Sequence, residues 1–293
     1  MTSHLRPFAF VLALCLALTA GAGFAGTPLK TLHILVSNDD GVDSEGIAAL
    51  VNELRTFARV TVAAPVENFS GAGHSLTVKG PIMVNEVKKE GKFFGYGIEA
   101  TPATCVKIGL DELIDEPVDL VVSGINEGYN IGELVYNSGT FGAAQEGILK
   151  GIPAIATSLE RSKGEKMDYE GAAAFVKAYI LAQAKVGFPT DRVVNINFPA
   201  GEKSSWKGIA LTSLSDFEFN ETWFRRKTPW GKTYFWNTVK RHVGYSPKPG
   251  TDLYALDENK ISITPVPMIR PELDARCLGR LHVEFEGMTL ERR

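Results

Sequence analysis

Several common kinds of chemistry have little to work with in this chain. Its 293 residues hold three cysteines, Cys15, Cys105 and Cys277, and five histidines. None of these is grouped at ligand spacing, which excludes a structural zinc site. Lysine and arginine form no stripe and the formal net charge is -3. A surface that neutralises the phosphates of a nucleic-acid duplex is therefore not expected. No G-x-G-x-x-G follows the first apolar strand, no GxxxxGK[ST] occurs, and there is no G-x-S-x-G. Those absences argue against a dinucleotide-binding turn, a P-loop and a nucleophile elbow. Composition, at 44% hydrophobic and 22% charged, argues against disorder and fits a globular chain.

The first residues read as a targeting segment. "MTSHLR" carries Arg6 and no acid, and "PFAFVLALCLALTA" is apolar. "GAGFA" then offers Gly23 and Ala25 at signal-peptidase spacing, so cleavage is expected after Ala25. The alternative is an uncleaved anchor, although the apolar core is shorter than the ~20 residues a span needs. A lipoprotein is disfavoured because Leu14, which precedes Cys15, is too large. Cleavage would leave 30 basic against 34 acidic residues, no stable membrane contact, and an exported protein whose expected compartment is the bacterial periplasm. It would also leave Cys105 and Cys277, either paired or as two buried thiols. Their spacing demands neither.

From Leu32 to Leu159 strands alternate with helices. "LHILVS", "RVTVAAP", "VDLVVS" and "PAIATSL" are short apolar runs typical of a sheet covered on both faces. "GIAALVNELRTFA", "TPATCVKIGLDELI", "SGTFGAAQEGILKG" and "YEGAAAFVKAYILAQAK" read as helices, with Thr101 the expected cap of the second and Pro102 in its first turn. "PIMVNEVKK" and "GKFFGYGIEA" read as extended. The pattern predicts an α/β fold with a mainly parallel sheet between helices. Residues 26–200 form this core. Residues 201–293 are an appendage to it within the same domain. Here "WFRRKTPWGKTYFWN" predicts a hairpin turning at Pro229 to Lys232, and "ISITPVP" a late strand. Trp223, Trp230, Phe235 and Trp236 either cover the sheet or make a contact between subunits.

Three polar loops each follow a predicted strand: "SNDDG", "VENFSGAGHSLT" and "SGINEGYNIG". In an open parallel sheet such loops share the carboxyl edge, where ligands bind. Asp39, Asp40, Ser70 and Asn126 would then converge. Two carboxylates, a hydroxyl and an amide carbonyl suit a hard divalent cation, Mg²⁺ or Mn²⁺. Taken alone, Asp39-Asp40-Gly41 is an ordinary turn; the other two loops change that reading. Small and polar residues around the edge, Asn38, Gly41, Gly71, Ser123, Gly124, Gly128 and Asn130, are candidates to line an oxyanion site. Ser138, Gly139 and Thr140 open a helix, a natural seat for phosphate.

With these motifs in view, the chain resembles the SurE family of metal-dependent nucleotidases and acid phosphatases. The resemblance rests on "ILVSNDDGVDSEGIAAL", "FSGAGHSLT", "GIEATPATCVKIGL" and "DLVVSGINEGYNIG…SGTFGAAQEG", in that order. It is close over residues 32–200 and looser through "GTDLYALDENKISITP". It implies a Rossmann-like core and one divalent cation per subunit on Asp39, Asp40, Ser70 and Asn126. It also implies hydrolysis of nucleoside 5′- and 3′-monophosphates with broad phosphatase side activity, and dimers or tetramers built through the C-terminal hairpin and tail. Two positions depart from the family pattern. Phe69 stands where an arginine often precedes the ligand serine, and Asn137, preceded by Tyr136, stands where a tyrosine usually precedes S-G-T.

The expected chemistry is cation-assisted phosphomonoester hydrolysis. Asp39 or Asp40 would orient or deprotonate the attacking water, and His74 is the candidate acid for the leaving oxygen. A loop histidine that bonds locally is the alternative for His74. An acid phosphatase of broad specificity and a non-catalytic periplasmic protein that binds nucleotide or metal are the competing functions.

Overall fold

The computed structural model describes residues 31–216, 219–241, 246–268, 282–285 and 288–291. Residues 1–25, where a targeting segment is expected, and Cys277 lie outside them. Cys105 is a buried free thiol. In chain order the strands are β1 (His33–Ser37), β2 (Arg59–Pro65), β3 (Val84–Lys89), β4 (Lys92–Ile98), β5 (Leu120–Glu127), β6 (Ala154–Leu159), β7 (Arg192–Phe198), β8 (Ile209–Leu211), β9 (Phe219–Lys227), β10 (Thr233–Arg241), β11 (Ile261–Pro267), β12 (His282–Phe285) and β13 (Met288–Glu291). The α-helices are α1 (Glu45–Leu54), α2 (Pro102–Ile108), α3 (Gly139–Leu149), α4 (Tyr169–Gln183) and α5 (Asp252–Asp257).

Among the described residues nine strands form one sheet, in the order β3-β4-β2-β1-β5-β6-β7-β11-β8. The central run β4-β2-β1-β5-β6-β7 is parallel throughout. β3 pairs antiparallel with β4, and β11 antiparallel with β7. From β1 the chain builds outward on one side through β2 and on the other through β5. The boundary between β1 and β5 is thus a topological switch point, where loops diverge and leave a crevice.

Alternation along each strand sorts the core into two layers. Ile34, Val36, Val122, Ile155 and Ile196 face α1 and α4, where Leu50, Leu54, Val176 and Ile180 meet them. Leu35, Val121, Ala156 and Val193 face α2 and α3, against Val106, Phe141 and Ile148. Each such aliphatic side chain contributes about 1.5–3 kcal/mol by leaving water. α1 comes close enough to the sheet that a Cβ on Gly46 would stand 2.0 Å from the Ile125 carbonyl oxygen. Only glycine permits that approach.

Thr101 is the N-cap residue of α2, as the sequence predicts, but its hydroxyl makes no capping hydrogen bond. The hydroxyl donates instead to the Ser75 carbonyl, 2.8 Å away, which ties the second polar loop to α2. Residues after 200 are more than an appendage. Among the described residues, β8 and β11 extend the main sheet. Asp252 helps join them. Its buried carboxylate accepts the N–H groups of Gly132 at 2.8 Å and Ser215 at 2.9 Å. The β9–β10 hairpin pairs with itself, in the register Trp223 opposite Asn237. Its aromatic residues do not cover the sheet: Trp223 is 59% exposed and Trp236 63%. No described helix is long and apolar enough to cross a membrane.

Candidate active site

β1 ends on Ser37, and the chain turns at once through Asn38, Asp39, Asp40 and Gly41. Asn38 makes the turn: its Nδ2 donates to the Gly41 carbonyl at 2.8 Å and to Ser44 Oγ at 2.9 Å. That commits its amide nitrogen to the loop, while Oδ1 stays buried without a partner. Asp39 is 3% exposed, and Asp40 is half-buried.

Hydrogen bonds draw the other two loops onto this turn. The Phe69 N–H donates to the Asp39 carbonyl at 2.7 Å, and the Ser70 N–H to Asn68 Oδ1 at 2.8 Å. Asn68 Nδ2 lies 3.5 Å from Asp40 Oδ1. From the end of β5, the Glu127 N–H donates to Asp40 Oδ2 at 3.0 Å. β5 is irregular between Ser123 and Asn126, and beyond this shift Asn126 donates its Nδ2 to the Gly128 carbonyl at 2.6 Å. So Asp39, Asp40, Ser70 and Asn126 sit on loops that are bonded to one another at the switch point.

α3 closes the site from the side. Ser138 caps it, its Oγ accepting the Phe141 N–H at 3.0 Å. Gly139 lies against the first acid, so that a Cβ there would be 2.7 Å from Asp39 Cβ. The Thr140 hydroxyl donates to Asp39 Oδ1 at 2.5 Å. Thr140 is fully buried, and its hydroxyl is committed to the acid rather than offered to a phosphate. The helix start carries the positive end of its dipole toward Asp39.

These surroundings fit a hard cation. Burial pushes the Asp39 carboxyl up to about 7, opposed by the Thr140 hydroxyl and helped by the neighbouring Asp40 charge. Asp40 is also raised by burial, opposed by the Glu127 N–H. A divalent ion reverses this cost by favouring both ionised forms. With its nitrogen bonded to Gly128, Asn126 has only Oδ1 left to offer a cation. Ser70 is exposed, and its hydroxyl makes no hydrogen bond among the described residues. A group of three or more His, Cys, Asp or Glu is absent among the described residues.

The remaining expected residues divide. Gly71 is exposed and Gly128 half-exposed beside these loops. Gly41 is buried in the turn. Ser123 is fully buried in the sheet, in register with Ser37, and a Cβ on Gly124 would be 2.3 Å from the Thr157 carbonyl oxygen; both serve strand packing. His74 is turned elsewhere: its Nε2 bonds Glu146 Oε1 at 2.8 Å. Glu146 lies seven residues along α3 from Gly139, about 10 Å down the helix axis.

Asn130 anchors a network that the sequence reading did not include. Its carbonyl accepts Asn195 Nδ2 at 2.8 Å and Asn197 Nδ2 at 3.0 Å. Its N–H donates to Asn197 Oδ1 at 2.8 Å, and its Nδ2 to Ser158 Oγ at 2.9 Å. The same Nδ2 lies 3.5 Å from Thr140 Oγ1, which continues to Asp39. The signal was present in "VVNINF", where two asparagines two residues apart share one face of an apolar strand. A surface groove of about 580 Å³, lined by Glu45, Asn52 and Glu170, lies between α1 and α4.

The chain is similar to known proteins. Residues 34–221 match the family model described as Survival protein SurE. The chain is 39% identical over 235 residues to "5′-nucleotidase SurE" of Syntrophus aciditrophicus, covering 80% of this chain and 88% of that protein. It is 41% identical over 239 residues to "5′-nucleotidase SurE 1" of Thermus thermophilus, covering 80% and 91%. A solved structure, the Sure protein from Aquifex aeolicus, superposes with a TM-score of 0.72 at 32% identity, over 85% of this chain and 98% of that one.

Proposed function

The chain belongs to the SurE family, and from that membership we propose that it is a phosphoric monoester hydrolase releasing phosphate from nucleoside monophosphates. The observation that carries the reading is the bonding of three loops at the β1–β5 switch point. The loops that carry Asp39, Asp40, Ser70 and Asn126 are bonded to one another beside the start of α3, which supports the reading. We further propose dependence on Mg²⁺ or Mn²⁺, held by Asp39, Asp40, Ser70 and Asn126. When bound, the ion supplies charge neutralisation at the phosphoryl oxygens and a more acidic water.

The chain's own residues divide the remaining work. Asp39 is enclosed and held by Thr140, so it is the fixed acid. Asp40 is the more accessible, which makes it the acid that orients the attacking water. Backbone N–H groups at the Gly139–Thr140 helix start and in the Gly71 and Gly128 loops favour negative charge on the phosphoryl group. His74, bonded to Glu146, is not used as the acid for the leaving oxygen. Action on 3′-monophosphates, export through residues 1–25, and assembly of copies through the β9–β10 hairpin complete the proposal.

Phosphate release from 5′-AMP, 5′-GMP, 3′-AMP and p-nitrophenyl phosphate, each with Mg²⁺ and Mn²⁺, tests it. The expected result is turnover of nucleotides, lost by about 10²-fold or more in Asp39→Asn and Asp40→Asn. Binding of 5′-AMP without phosphate release would favour a binding protein. Preference for p-nitrophenyl phosphate over every nucleotide would favour a general phosphatase.

A further inference from the structure

Glu146 is a buried acid that the chemistry above does not use. Its side chain is 3% exposed, in the middle of α3. Such a carboxylate is costly unless partnered. Its partners come from two other elements. His74 Nε2 donates to Oε1 at 2.8 Å, and Lys107 Nζ of α2 lies 3.6 Å from Oε2.

His74 lies in the same loop as Ser70, four residues on, and this end of the loop is fastened to α3 at further points. The Gly73 N–H donates to the Asn137 carbonyl at 3.0 Å. α3 presses on the loop at Gly142, where a Cβ would meet the Gly73 carbonyl oxygen at 2.5 Å. The other end of the loop is fixed by the Phe69 N–H on the Asp39 carbonyl. Between these anchors run Ser70, Gly71 and Ala72, and Ser70 is exposed. α3 itself is registered to Asp39 through Thr140. The helix that orients the first acid therefore also holds the back of the serine loop.

We propose that His74 is a positioning residue, which, clasped by the buried Glu146, holds Ser70 at the distance from Asp39, Asp40 and Asn126 that a shared divalent cation requires. This rests on the cation reading above. Partners one step removed from a metal's ligands commonly set its affinity about 10- to 100-fold. The clasp explains why a histidine beside the site is bonded away from it, and why a carboxylate is kept buried in α3.

The test is the Mn²⁺ dissociation constant of the substrate-free full chain, read from the electron paramagnetic resonance signal of free Mn²⁺. Wild type, Ser70→Ala, His74→Ala, His74→Gln, Glu146→Leu and the double variant Ser70→Ala/His74→Ala are compared, with circular dichroism as a check on folding. His74→Ala is expected to weaken Mn²⁺ by about tenfold or more. His74→Gln, which keeps an N–H donor, recovers part of the loss. In the Ser70→Ala background, His74→Ala adds nothing further. An unchanged dissociation constant in His74→Ala would overturn the inference, as would a full additional loss in the double variant. Should Glu146→Leu fail to fold, the His74 variants decide alone, since they leave the helix intact. Wild-type chain that binds no Mn²⁺ would overturn the cation reading and this inference together. Wild-type binding with His74→Ala unaffected would overturn this inference only.

Discussion

Burial pushes the Asp39 carboxyl up to about 7 from its ordinary 3.8. Between those values the folded state binds more protons than the unfolded one, so the cation-free protein loses stability as pH rises. Below about pH 4 both states are protonated and the cost is absent; above pH 7 it is complete, on the order of 4 kcal/mol. Thermal unfolding in EDTA is therefore expected to show a melting temperature that falls from pH 5 to pH 8. Asp39→Asn should flatten that dependence, and Mn²⁺ should stabilise wild type more at pH 8 than at pH 5. The Thr140 hydroxyl opposes the rise and is buried with the acid. Thr140→Val is expected to keep the fold and weaken Mn²⁺ by about 10- to 100-fold, measured by calorimetric titration. At this scale Asp39, Asp40, Ser70 and Asn126 stood out in the sequence only when the three loops were read together, since Asp39-Asp40-Gly41 alone is an ordinary turn. The sequence did not expose their partners. Thr140 as a brace for Asp39 and Glu146 as a clasp for His74 depend on contacts 101 and 72 residues apart, which no local pattern records.

Elements carry the site because of how closely they approach. α1 rests on β5 at Gly46, and a methyl group there would collide with the Ile125 carbonyl, one residue before Asn126. Gly46→Ala is expected to cost about 1–3 kcal/mol or more in chemical denaturation. On the other side of the sheet, Asn197 satisfies both the N–H and the carbonyl of Asn130. Asn197→Leu leaves the buried Asn130 N–H unpaired, while the Asn130 carbonyl keeps Asn195 Nδ2, at about 1–3 kcal/mol, and its effect on phosphate release should track the loosening of Thr140. Strands and helices of the core were legible because two-sided burial writes continuous apolar runs and helical spacing into the sequence. α5 and β8 were not, since segments of 6 and 3 residues are too short to show a period. Nor does the antiparallel return of β11 beside β7 leave a local mark: strand partners are chosen by packing, not by composition.

The whole molecule joins a buried α/β core to a hairpin that displays aromatic rings on both faces. Trp223 and Phe235 stand on one side, Phe224, Tyr234 and Trp236 on the other, and all five are exposed. That much apolar surface favours contact with another copy. Trp223→Ser with Trp236→Ser is expected to shift the particle mass in light scattering toward the monomer while circular dichroism stays unchanged. A wild-type chain that is already monomeric would argue against the contact. The strand order mattered more than any motif for locating the site, since it is the reversal at β1–β5 that brings loops from three strands together. Those loops are proposed to form one cation-dependent site for a phosphate ester. The decisive measurement is phosphate release from 5′-AMP by wild-type protein, followed through EDTA treatment and Mn²⁺ return. Turnover is expected to stop with EDTA and to recover with Mn²⁺. Turnover that continues undiminished in EDTA would rule out the cation-dependent site.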